Sequence, residues 1–162
     1  MRILWVCNII LPKIARNIEG MAVPADGGWM SGLLQTMEAE ESVTLGICFP
    51  MTGSGEIQKG KIDQLSYYGF RQEKLVLEEY SPNLEWQFRE IMEDFQPDIL
   101  HIFGTEYVHS LAAVKAFSRP DQTVINIQGL VSVYAGHFMA NLPDSVQKGY
   151  TLRDLIRRDN LI

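Results

Sequence analysis

Pro97-Asp98-Ile99-Leu100-His101-Ile102-Phe103-Gly104-Thr105-Glu106-Tyr107-Val108-His109 is the stretch whose reading decides the fold. Pro97 and Asp98 stop the helix that precedes them. Ile99 to Phe103 is then an apolar run interrupted only by His101. A continuous apolar run, unlike an alternating one, marks a strand covered on both faces, as in a parallel sheet. Gly104 permits a tight turn from strand into helix. Glu106 to Phe117 has helical spacing, with Leu111, Val114 and Phe117 as the expected core face. Thr105 is placed to cap this helix, and Glu106 falls in its first turn, where the helix dipole favours a carboxylate.

Units of the same kind lie on either side. Ile3 to Cys7 is a short apolar strand, followed by a loop with Pro12, Gly20, Pro24 and Asp26. The paired Gly27 and Gly28 open a helical pattern that runs to about Glu40, with Trp29, Leu33, Leu34 and Met37 on one face. Val43 to Phe49 reads as a second strand, ended by Pro50 and the Met51-Thr52-Gly53-Ser54-Gly55 stretch. From Glu56 to Tyr80 the signal weakens, and Ile62, Leu65, Tyr67, Tyr68 and Phe70 indicate one or two strands or a hairpin arm. Ser81-Pro82-Asn83 starts a helix in which Leu84, Phe88, Ile91, Met92 and Phe95 recur at helical spacing. After the turn at Arg119-Pro120-Asp121 comes a strand from Thr123 to Ile127, closed by Gln128-Gly129. A largely helical tail carries Leu152, Leu155 and Ile156. Strands alternating with helices predict one α/β domain over residues 1–162. It is Rossmann-like and doubly wound, with a mostly parallel sheet and helices on both faces.

Composition narrows the class. The chain has 162 residues, 46% hydrophobic and 21% charged, with a formal net charge of -6. That length suits one compact α/β domain and is short for two. Mild acidity argues against a nucleic-acid backbone or an anionic membrane as the main partner, since both reward clustered Lys and Arg. No run approaches the ~18 apolar residues of a membrane span. The opening apolar run is too short for a secretory leader, and no small-residue cleavage site follows. A cytoplasmic protein without a transmembrane segment is therefore expected. Cys7 and Cys48 sit in apolar strands and read as buried thiols. Without a Cys-x-x-Cys pair there is no support for a zinc clip or a redox site, and no metal site is expected.

In an open parallel sheet, ligands bind beyond the carboxyl ends of the strands. That rule selects the loops after Cys7-Asn8, Phe49, Phe103 and Ile127. The first leads to Asp26-Gly27-Gly28-Trp29 at a helix start, where glycines let the backbone approach a ligand and free N–H groups favour an anion. The adjacent glycines are not a G-x-G-x-x-G fingerprint and no Gly-Lys-Ser/Thr follows, so NAD and ATP are poorly supported. The loop after Phe103 brings Gly104, Glu106 and His109 together. Glu106 and His109 are one helical turn apart, so the carboxylate is able to orient the imidazole, although such pairs are also common on surfaces. His101, inside the strand, reads first as a core residue. Gln128-Gly129 pairs an amide with a glycine at a strand end, which suits sugar hydroxyls or a phosphate, or an ordinary turn.

Together, the opening strand Ile3-Leu4-Trp5-Val6-Cys7, the Gly27-Gly28 loop, Pro97-Asp98-Ile99-Leu100-His101 and the strand ending in Gln128-Gly129 resemble the N-terminal domain of the retaining glycosyltransferases of family 4, which have the GT-B architecture. The resemblance spans most of the chain and is weakest from Glu56 to Tyr80. It implies a nucleotide-sugar donor held mainly by a second, C-terminal Rossmann-like domain that has no counterpart in these residues. It also implies a sugar or glycan acceptor held by the present domain in the cleft between the two. Gly27 and Gly28 would approach the donor phosphates. Glu106, His109 and Gln128 are the implied catalytic group, and His101, Gly104 and Gly129 line the acceptor side. Transfer would proceed with retention, without metal, and with no cofactor beyond the nucleotide-sugar co-substrate. The chain departs from the family at Gln128 and at Phe103, two positions where a histidine is common. This domain alone is expected to be inactive. A nucleotide-sugar epimerase of the same build, working by carboxylate and histidine acid/base pairs, is the related alternative. A non-catalytic Rossmann-like binding module is the other. A flavodoxin-like cofactor binder is disfavoured, because the first loop lacks a short Ser/Thr/Gly run for a phosphate.

Overall fold

The computed structural model of the chain describes residues 1–25, 28–53, 55–72 and 80–127, with single positions beyond them. The chain divides into two compact units, Met1–Gln128 and Gly129–Ile162. The first unit runs β1 (Arg2–Val6), α1 (Pro12–Ala15), α2 (Gly28–Glu38), β2 (Thr44–Thr52), β3 (Gln58–Ile62), β4 (Leu65–Gln72), α3 (Pro82–Phe95), β5 (Ile99–Phe103), α4 (Val108–Phe117) and β6 (Thr123–Asn126). Its six strands form one sheet in the order β3-β4-β2-β1-β5-β6. Every pairing is parallel except that of β3 with β4. This is the α/β Rossmann-like build expected from the alternation of strands and helices. The weak segment resolves into the β3–β4 hairpin, turned at Asp63 with φ of 54°. β3 reads QKGKI and is polar along its length because it is an edge strand, which is why hydropathy hides it.

Alternate residues of the central strands feed two cores. Leu4, Val6, Cys48, Leu100 and Ile102 pack with Phe88, Ile91 and Phe95 of α3 and with Ala112, Ala113 and Phe117 of α4. Ile3, Trp5, Cys7, Leu45, Ile47, Phe49 and Phe103 pack with Leu11 and Ile14 around α1 and with Met30 and Leu34 of α2. Helices therefore cover both faces, which is the physical reason the strands read as unbroken apolar runs. Cys7 and Cys48 are buried free thiols, and burial raises the pKa of both.

Several sequence signals act as expected. Ser81 caps α3 by accepting from the Asn83 N–H at 3.3 Å, with Pro82 at the first helical position. Gln96 ends that helix in the left-handed conformation, with φ of 51°. Asp98 then ties the start of β5 to β1. Its carboxylate accepts from the Arg2 N–H at 2.7 Å, and its own N–H donates to the Arg2 carbonyl at 2.8 Å. Tyr68 on β4 donates to the Asp94 carboxylate on α3 at 2.6 Å, and Lys59 on β3 reaches the same carboxylate at 2.9 Å. Past the end of β3, the Gln87 amide takes the place of a strand. It accepts from the Arg71 N–H at 2.7 Å and donates to the Arg71 carbonyl at 3.0 Å, so the half-buried backbone at this point of β4 stays satisfied.

Two helix faces differ from the spacing argument. On α4 the buried set is His109, Ser110, Ala112, Ala113 and Phe117, while Leu111 is exposed and Val114 half-buried. Small Ala112 and Ala113 let the helix lie close to β5, and the larger Leu111 points away. On α2, Met30 and Leu34 are buried and Leu33 and Met37 pack against the same core, but Trp29 is exposed. No helix among the described residues is long and apolar enough to cross a membrane.

Candidate functional site

The strand order fixes where a ligand fits. After β1 the chain adds β2 and β4 on one side, then returns across β1 to place β5 and β6 on the other. Neighbouring strands whose connections leave in opposite directions open a crevice at their carboxyl ends. Here that crevice lies beyond Val6 of β1 and Phe103 of β5. Both neighbouring loops belong to the four selected from sequence.

At the end of β5, Gly104 has a φ of 96°. Its N–H donates to the Asn126 carbonyl at 2.9 Å, and its carbonyl accepts from the Ser110 hydroxyl at 2.9 Å. One glycine is thus fastened to both β6 and α4. A Cβ built on it would stand 2.7 Å from an Oε2 oxygen of Glu106. The Glu106 carboxylate folds back over the turn and accepts from the Thr105 N–H. α4 begins later than its spacing predicts, at Val108, with Tyr107 at the cap position and no side-chain cap. Thr105 is therefore not the cap, and Glu106 precedes the helix. The expected contact between Glu106 and His109 is not made, because the two side chains leave the turn in different directions.

His109 is buried instead. Its Nδ1 lies 3.0 Å from the Oε1 of Gln72, the last residue of β4. An amide oxygen only accepts, so Nδ1 carries the proton and Nε2 keeps its lone pair. Nε2 has no hydrogen-bond partner among the described residues. The ring stacks flat on Tyr107 at 5.2 Å between centroids and sits 5.1 Å from Phe70. Burial pushes the imidazole down from its ordinary 6.5 to about 4. His109 is therefore neutral at pH 7, which sets a pH dependence. The unfolded chain takes up a proton near pH 6.5 that the folded one refuses. Stability from this group is complete above the unfolded value and falls away as pH drops towards 4. A shift of this size corresponds to about 3 kcal/mol. Denaturant titrations at pH 7 and pH 4 should show the wild type losing about that much more stability than His109→Gln. Equal losses in the two proteins would contradict the assignment.

His101 is half-buried, its ring 4.2 Å from Phe103 and edge-on to Trp5 at 6.2 Å. Burial lowers its pKa as well. Its nitrogens make no hydrogen bond among the described residues. It belongs to an aromatic cluster that continues through Phe103 to Trp29, 5.5 Å away on the first turn of α2. That contact brings the start of α2 to the end of β5. Gly28, the first residue of α2, is exposed and has a φ of 54°. Beside it, a cleft of about 730 Å³ separates α1 from α2, lined by Leu11, Lys13, Arg16, Gly28, Ser31 and Gln35 among others. Its volume falls in the range of small-molecule sites. Lys13 is paired there with Glu38 at 2.7 Å.

The structure thus gathers Gly28, Gly104, Glu106 and His101 around one end of β5, with His109 walled in behind Tyr107. Gly27 and Gln128 lie outside the described residues. Gly129 is half-buried and opens the second unit. Sequence reasoning missed Gln72, which sits in the weakly patterned segment, and the outward turn of Trp29. The strand-end rule would have found Gln72 once β4 was recognised. Among the described residues no group of three or more His, Cys, Asp or Glu could hold a metal ion.

Fold and strand order together define the class, an α/β Rossmann-like domain with a topological switch point between β1 and β5. No protein-family model and no curated protein matches the chain.

Proposed function

We propose that this is the acceptor-side domain of a retaining glycosyltransferase, working with a donor-binding domain of GT-B type. The observation that carries the reading is the Trp29–Phe103 contact. It sets the glycine-started helix α2 beside the Gly104-Thr105-Glu106 turn at the switch point. A helix start offers N–H groups to the charge that develops on a leaving phosphate. Glu106, exposed and already accepting one N–H, has lone pairs left for an acceptor hydroxyl. His109, neutral and enclosed, holds the α4 end of the turn in place through Gln72 and the Tyr107 stack. The acidic chain and the polar, exposed rim suit a neutral polyhydroxylated acceptor.

The test uses the protein together with its donor-binding domain, with Gly28→Val as the variant. A β-branched side chain at φ of 54° both strains the turn and fills the approach. The expected result is a fall in kcat/KM for sugar transfer of about a hundredfold, as when one oxyanion-type donor is lost. Unchanged transfer would favour a binding module without chemistry.

A further inference from the structure

α3 buries a stripe that runs from Leu84 through Phe88 and Ile91 to Phe95. Trp86 lies off that stripe and is 61% exposed, so the core gives no reason for a tryptophan there. It does not stand alone. Trp86 lines a cleft of about 330 Å³ between the start of β3 and the outer side of α3, together with Glu56, Lys59, Asn83, Gln87 and Glu90. Asn83 precedes it by three residues and Glu90 follows it by four, so the two flank the indole on one helix face. Two of the walls are pinned. The Gln87 amide makes both its bonds to the Arg71 backbone, and Lys59 is held 2.9 Å from the Asp94 carboxylate. The remaining polar groups are uncommitted. Among the described residues, the Asn83 amide, the Trp86 indole N–H and the Glu56 and Glu90 carboxylates make no hydrogen bond or ion pair. β3 is the sheet edge, with β4 and β2 between it and β1, so this cleft is separate from the switch-point crevice.

We propose that the cleft between β3 and α3 binds one neutral sugar ring, with Trp86 as its stacking platform. A pyranose presents one face of C–H groups, which packs on an indole, and a rim of hydroxyls that both donate and accept. The lining answers both needs. The Asn83 amide donates and accepts, the Glu56 and Glu90 carboxylates accept, and Lys59 keeps N–H groups beyond the one given to Asp94. Charged ligands fit less well. A phosphate would face two unpaired carboxylates, and an organic cation would face the Lys59 ammonium and leave the amide donor unused. The volume is at the lower end of small-molecule sites, which suits a single ring. Binding here does not depend on sugar transfer at the crevice, so the test measures binding alone.

The chain has three tryptophans, which give three indole N–H resonances in a nitrogen-15 spectrum, and Trp86→Phe identifies the one from Trp86. Methyl α-D-glucopyranoside, mannopyranoside and galactopyranoside are the probes, with choline chloride and inorganic phosphate as charged comparisons. At least one pyranoside should shift the Trp86 resonance saturably while those of Trp5 and Trp29 stay in place. Trp86→Ala should weaken binding of that pyranoside about tenfold by calorimetry, and Trp86→Phe by only about threefold, since a ring is retained. Trp86→Phe also answers any loss of folding in the alanine variant. Asn83→Ala should cost about fivefold, the share of a neutral hydrogen bond. The proposal is overturned if none of the three pyranosides moves the Trp86 resonance, or if Trp86→Ala binds as well as the parent. A response to choline or phosphate without one to any pyranoside overturns it in favour of an ion site. A shift that follows protein concentration instead of sugar overturns it in favour of a contact between copies.

Discussion

Phe88→Ala is expected to lower the stability of the chain by about 4 kcal/mol, within the span measured for emptying a buried phenylalanine site. Phe88 is fully buried on α3, with Phe70 of β4 at 4.9 Å between ring centroids. The cluster it belongs to joins α3 and α4 to β1, β2, β4 and β5, so no single element can collapse into the space without disturbing the others. A loss of this size takes away a large part of the 5–15 kcal/mol typical of a domain and should bring the thermal midpoint down by roughly 10 °C. Urea unfolding gives the free energy directly. Trp86→Ala, two residues away on the exposed side of the same helix, should stay within about 0.5 kcal/mol of the wild type. Comparable losses in both variants would mean that the two faces of α3 have been assigned wrongly.

Gly104→Val carries the second large effect, at the turn that follows β5. Two separate costs meet at this position. A β-branched residue at a φ of 96° is strained whatever surrounds it. The added Cβ also meets the Glu106 carboxylate at 2.7 Å, so the carboxylate must leave the Thr105 N–H. Together these should cost about 3 kcal/mol. A double-mutant cycle on Gly104→Ala and Glu106→Ala separates them. Glu106→Ala alone should be nearly silent for stability, since the side chain is exposed. The pair should recover about 1 kcal/mol relative to the sum, the share due to the clash. Strict additivity would leave backbone strain as the whole cause and would remove Glu106 from its place over the turn.

How far the sequence disclosed this depends on the range of the interactions. β1, β5 and the start of α3 were legible because their signals are local: unbroken apolar runs, a Ser-Pro start and a Pro-Asp stop. The orientations of Trp29 and Leu111 were not. Both are apolar at core-like spacing, and which side is covered depends on the size of neighbours such as Ala112 and Ala113 and on the distant Phe103. The start of α4 was misplaced because Tyr107 has no polar side chain with which to announce a cap, while Thr105 does. His109 and Glu106 were paired on the assumption that the helix included both. The actual partner of His109 is Gln72, 37 residues earlier, which no local spacing rule can reach. The crevice follows from strand order, which was not legible: the alternation of elements predicts a parallel sheet and leaves four strand-end loops open, and only the order β3-β4-β2-β1-β5-β6 singles out the ends of β1 and β5.

The central claim is that this crevice receives an acceptor for a sugar taken from a nucleotide donor. Its most direct test is the release of nucleoside diphosphate by the protein together with the donor-binding domain that the proposal requires, measured with and without a pyranoside acceptor. The account predicts release that depends on acceptor, with the anomeric configuration of the donor kept in the product. Interconversion of nucleotide sugars in the absence of any acceptor would contradict it and point to an epimerase.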